Sequence, residues 1–114
     1  MRTYSRSCHC GEISFVFSTE TSIAKGTRCN CSFCEKLGIV YSDKIDPLNF
    51  KILKGQDSLK VYLFNDKVVR HSFCRNCGVY VFYTGVQCKI NLGCVNEIDT
   101  FSLPVEVYDG KHLL

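Results

Sequence analysis

The alternation of apolar and polar positions along this chain is that of strands. Ile13, Phe15 and Phe17 alternate with Glu12, Ser14 and Ser18, which predicts one strand with a buried face. Residues 50–54, 58–64, 67–73, 79–83, 87–92 and 105–108 are rich in Val, Ile, Tyr and Phe and read as further strands. Asn65-Asp66 separates two of these runs as a hairpin turn, while Gly55, Gly85, Gly93 and Asp109-Gly110 punctuate the rest. A helical stripe is missing from every window of about a dozen residues, so at most a short helical turn is expected, after Cys34 or over 46–50. The expected class is mainly β. Short antiparallel strands would pack as a small sandwich or folded sheet, in a single domain spanning 1–114.

Composition sharpens this. Hydrophobic residues make up 46% of the 114 and charged residues 22%, a globular balance that excludes a disordered chain. A core built from so few residues is small, and a metal staple would add to its stability. The apolar runs are too short to span a bilayer, and the first seven residues carry no secretory signal, so a cytoplasmic chain without membrane contact is expected. In that compartment nine cysteines point to metal rather than to disulfides.

Three cysteine clusters carry the chemistry: Cys8-His9-Cys10-Gly11, Cys29-Asn30-Cys31-Ser32-Phe33-Cys34 and Cys74-Arg75-Asn76-Cys77-Gly78. A C-x-x-C turn aims two sulfurs into one tetrahedral site, and sulfurs of a C-x-C pair reach one metal far more easily than they reach each other. Cys8 and Cys10 with Cys74 and Cys77 complete a closed four-thiolate set, the pattern of a structural zinc. Cys29, Cys31 and Cys34 remain as three thiolates from one loop. Three protein ligands plus an exchangeable fourth position is the arrangement of a catalytic zinc. The alternative is a second site closed by Cys88, Cys94, His9 or His71.

The formal charge of +3 invites a nucleic-acid reading, but seven thiolates and two zinc ions would bring the chain to neutrality. Lysines and arginines are also scattered rather than blocked, so no nucleic-acid partner is expected. Cys88 and Cys94 fall in strand-like sequence and read as small buried apolar residues. His71 reads as a packed or surface histidine, and Tyr80, Phe82 and Tyr83 as core rather than as a stacking surface for bases. Asp43, Asp46 and Asp66 read as turn or cap carboxylates, none of them in a catalytic pair.

In their order the three clusters resemble the glutathione-dependent formaldehyde-activating enzyme family, which includes centromere protein V. The likeness rests on Ser7-Cys8-His9-Cys10-Gly11-Glu12-Ile13-Ser14-Phe15, on the cysteine triple with Gly38 soon after, on 70–78, and on Asn91-Leu92-Gly93. It covers roughly residues 4–111. The resemblance implies a β-tent fold, two zinc ions per chain, and a carbon–sulfur lyase. It assigns Cys8, Cys10, Cys74 and Cys77 to a structural ion, and Cys29, Cys31 and Cys34 to an ion at the active site. The implied partners are glutathione and formaldehyde, giving S-hydroxymethylglutathione. The chain departs from the family pattern where Glu35 precedes Lys36, where Val95-Asn96 follows the glycine signature, and in a tail without the usual histidine. A carboxylate at 35 would repel an anionic peptide, which sets a related thiol beside glutathione. The non-enzymatic alternative is a zinc-stabilised protein-binding module.

Overall fold

The computed structural model describes residues 1–63, 68–85 and 87–113. Asn65-Asp66, read as a hairpin turn, and Asp66, read as a turn carboxylate, lie outside the described residues. Among the described residues nine strands, β1 (Arg2–Ser7), β2 (Ser14–Thr19), β3 (Gly26–Cys29), β4 (Phe50–Lys54), β5 (Leu59–Tyr62), β6 (Arg70–Cys74), β7 (Tyr80–Thr84), β8 (Lys89–Ile90) and β9 (Val105–Tyr108), form three sheets. The first has the order β1-β2-β4 and the second β5-β6-β7-β8, both antiparallel throughout. The third is the pair β3-β9, and it is parallel. The mainly β class is as the sequence predicts; the parallel pair is not foreshadowed by any local pattern, because its paired residues, such as Thr27 and Glu106, are 79 positions apart.

β2 shows why alternation is informative. Phe15 and Phe17 point inward and are essentially inaccessible, as is Ile13 just before the strand, while Ser14, Val16 and Ser18 are only half-buried. Burying each phenylalanine contributes roughly 2–3 kcal/mol of transfer free energy. These residues meet Val81 and Phe82 of β7 and Ile90 of β8, so the first two sheets share one core. Cys88 and Cys94 are buried in that same core, as small apolar residues would be.

Several boundaries differ from the sequence reading. The strand expected over 87–92 is reduced to Lys89–Ile90, flanked by single bridges at Cys88 and Asn91, and Leu92–Cys94 is a 3-10 turn. Asn91 starts that turn, its side-chain oxygen accepting from the Gly93 amide at 2.9 Å. Two helices accompany the strands, α1 (Ser32–Leu37) and α2 (Gly110–Leu113). α1 begins ahead of Cys34 rather than after it, whereas the turn near 46–50 is a 3-10 segment, Pro47–Asn49, capped by Asp46. Asp43 likewise serves the backbone, accepting from the Lys44 amide. Among the described residues no helix is long and apolar enough to cross a membrane.

Candidate metal centres

The first cluster is assembled from two hairpin loops in different sheets. Cys8 and Cys10 lie in the loop from β1 to β2, Cys74 ends β6, and Cys77 lies in the turn to β7. Each loop folds the same way. In one, the Cys8 amide bonds the Ile13 carbonyl and Gly11 bonds back to the Cys8 carbonyl; in the other, Cys74 bonds Val79 and Gly78 bonds Cys74. Gly11 and Gly78 sit at φ of 80° and 79°, a backbone state that costs glycine nothing. The turns thereby present their amides to sulfur: Ile13 N–H to Cys8 at 3.4 Å, Asn76 N–H to Cys74 at 3.4 Å and Cys77 N–H to Cys74 at 3.5 Å. The Asn76 side-chain amide donates across to Cys10 at 3.3 Å.

All four sulfurs lie within 4.8 Å of one another, and Cys8–Cys10 and Cys10–Cys74 are each 3.7 Å apart. A tetrahedron with metal–sulfur bonds of about 2.3 Å has edges of about 3.8 Å, so the donor set is compatible with zinc. Burial pushes the Cys8 thiol up to about 11. The Val79 amide draws Cys77 down to about 6, and the Asn76 side chain lowers Cys10. Two of the four thiols are therefore shifted toward the thiolate that a metal ion needs.

Cys29, Cys31 and Cys34 form the second cluster, their sulfurs also within 4.8 Å of one another. Cys29 ends β3. Cys31 caps α1, its sulfur accepting from the Cys34 amide at 3.4 Å, and the Cys31 amide in turn donates to Cys29 at 3.5 Å. Gly38 closes the helix against the Cys34 carbonyl. Burial raises the Cys29 and Cys34 thiols; at Cys31 it is outweighed by the Cys34 amide and the neighbouring sulfurs, which lower it. Among the described residues no other histidine, cysteine or carboxylate brings a ligand atom into this set. His9 is exposed on its turn, Cys88 and Cys94 are in the core, and His71 stays outside both sets.

The surroundings of the two clusters differ. The second is walled by Phe33, Tyr41, Tyr80 and Tyr83, with the Tyr41 ring edge-on to both Tyr80 and Tyr83 at 6.0 and 5.4 Å. Phe33 packs on Tyr62 at 5.0 Å and on the His71 ring at 4.6 Å. Tyr41 is the residue that cysteine spacing does not reveal: its hydroxyl lies 3.2 Å from the Cys34 sulfur. A surface groove lined by Ser18, Lys25, Asp43, Asp46 and Gln87 among others contains no clustered cysteine.

Residues 3–111 match the family model described as glutathione-dependent formaldehyde-activating enzyme. The fold is similar to the crystal structure of a Rhodobacter sphaeroides protein, with a TM-score of 0.79 and 22% identity over 90% of this chain and 98% of that one.

Proposed function

Because the chain belongs to the glutathione-dependent formaldehyde-activating enzyme family, we propose that it is a zinc-dependent carbon–sulfur lyase joining the thiol of glutathione, or a related small thiol, to formaldehyde. The observation that carries this reading is the difference between the clusters. Four sulfurs close one site, while three sulfurs gather at the other, and no fourth protein ligand joins them among the described residues. Closed sets suit structural ions and open sets suit chemistry. On this reading Cys8, Cys10, Cys74 and Cys77 hold one zinc, Cys29, Cys31 and Cys34 hold the second, and 1–114 is a single zinc domain of the β-tent type.

A zinc ion held by the triple would supply Lewis acidity that keeps an incoming thiol in its nucleophilic form. The protein's part is to hold and surround. The Cys31 and Cys34 amides set the spacing of the three sulfurs, and the rings of Phe33, Tyr41 and Tyr83 exclude water on the inner side. The reaction needs no oxidant: the thiol sulfur bonds the formaldehyde carbon, and the thiol proton ends on the former carbonyl oxygen. The reverse step breaks that carbon–sulfur bond, which is lyase chemistry. Glu35 and Lys36 are both exposed on α1 beside Cys34 and offset one another in charge, so the approach is not tuned to an anionic peptide by this helix.

The test follows exchange between free thiol, formaldehyde and hydroxymethyl adduct by NMR, with glutathione and neutral thiols in parallel. Zinc-loaded protein is expected to exceed the spontaneous rate, and Cys31→Ser to return it to background. No excess with any thiol would contradict the enzyme reading and leave the binding module.

A further inference from the structure

The sulfur of Cys34 has a buried partner that the metal reading does not require. Tyr41 Oη lies 3.2 Å from it, Tyr80 Oη lies 3.5 Å behind Tyr41, and His71 Nδ1 is 2.7 Å from Tyr80 Oη. Tyr41, Tyr80 and His71 are each only 3–4% exposed. These side chains come from three separate places: the segment before the first 3-10 turn, β7 and β6. A row of polar groups drawn from distant elements into an aromatic enclosure is costly unless each finds a partner.

We propose that Tyr41 is a positioning residue of the second metal centre, its hydroxyl donating a hydrogen bond to the Cys34 thiolate. This rests on the reading that the cysteine triple holds a metal ion. Proton counting supports it. A metal-bound cysteine sulfur has no proton and can only accept, so the single Tyr41 proton, which can otherwise go to Tyr80 Oη at 3.5 Å, must turn to the sulfur at 3.2 Å for that contact to be a bond. Hydrogen bonds to an ionised acceptor are among the stronger kinds, and this one is shielded from water.

The backbone of Tyr41 is held for that task. Its amide and carbonyl both bond Thr27 of β3, at 2.7 and 2.9 Å, while its neighbours Val40 and Ser42 bond Leu92 and Ile90. β3 ends in Cys29, so the strand that delivers one metal ligand also anchors the donor to another. On its other side the hydroxyl faces Tyr80 Oη, the competing acceptor at 3.5 Å, which lies 2.7 Å from His71 Nδ1.

Donation to a thiolate withdraws electron density from sulfur, which raises the energy of sulfur-to-metal charge transfer. The test replaces zinc by cobalt and compares the intact chain with Tyr41→Phe. Tyr41→Phe is expected to move the charge-transfer band of the triple to lower energy and to weaken zinc binding there about tenfold in chelator competition. The four-cysteine site should keep its spectrum and affinity, which a general loss of packing would not spare. An unchanged band and an unchanged affinity, with two ions bound in both proteins, would overturn the role of Tyr41 and leave the metal reading standing. A parent protein that binds cobalt only at the four-cysteine site would overturn both. Should Tyr41→Phe fail to fold, Tyr80→Phe serves: it removes the competing acceptor of the Tyr41 proton, and a smaller shift in the opposite direction, to higher energy, is expected, with no shift counting against the proposal.

Discussion

The imidazole of His71 sits in β6 with Nδ1 2.7 Å from the Tyr80 hydroxyl and 4% of its surface open to solvent. Burial disfavours the charged ring and draws its titration down to about 4 from the ordinary 6.5. As pH falls below the ordinary value, the unfolded chain takes up this proton before the folded one does. His71 therefore costs stability progressively between about pH 6.5 and pH 4, by about 3 kcal/mol at the lower end, and nothing above neutrality. Long-range proton–nitrogen spectra of the metal-loaded protein should show this ring neutral down to about pH 4. A midpoint near 6.5 would contradict the buried placement. From sequence His71 reads as a packed or surface histidine, and the structure selects packing. Tyr41 stood outside every motif. It lies seven positions from Cys34, too far for a local spacing rule to link them, and its bridges to Thr27 and Asn91 bring it back.

Among the elements, β7 explains both what was legible and what was not. Simple alternation places Tyr80 and Phe82 on one face and Val81 and Tyr83 on the other. The register between β6 and β7 shifts between Ser72 and Phe73, and the irregularity breaks the alternation. Val81 and Phe82 both enter the main core, whereas Tyr80 and Tyr83 turn to the second cluster. A bulge leaves no mark in a pattern of apolar residues, so reading these aromatics simply as core was right for Phe82 and missed the hydroxyl of Tyr80. β1 and β3 were unread for a different reason: RTYSRS buries only Tyr4 strongly, and GTRC is too short and mixed to show a period. The cysteine clusters were legible because their spacing is chemical rather than periodic. Their elements also predict unequal roles. The first cluster joins hairpin loops whose sulfurs are 64 positions apart at Cys10 and Cys74, while the second spans one short segment. Restraining so long a loop removes about 4 kcal/mol of chain entropy by the count used for a covalent cross-link. Cys77→Ser is thus expected to lower the stability of metal-loaded protein by on the order of 3–4 kcal/mol, and Cys31→Ser by far less. Chemical denaturation of both variants checks this, and the opposite ranking would contradict the division of ligands.

For the whole molecule, two sheets share one core and the four-sulfur cluster ties them at their hairpin loops, while the three-sulfur cluster sits apart in an aromatic enclosure beside the parallel pair β3-β9. On the proposed reading, this separation would let one centre maintain the fold while the other keeps a position open. The measurement that bears most directly on it is the metal count of freshly purified protein by native mass spectrometry. Two zinc ions per chain are expected, falling to one in Cys31→Ser with the fold retained. A single ion in the parent protein, or none, with the thiols of Cys29, Cys31 and Cys34 free to react, would contradict the account.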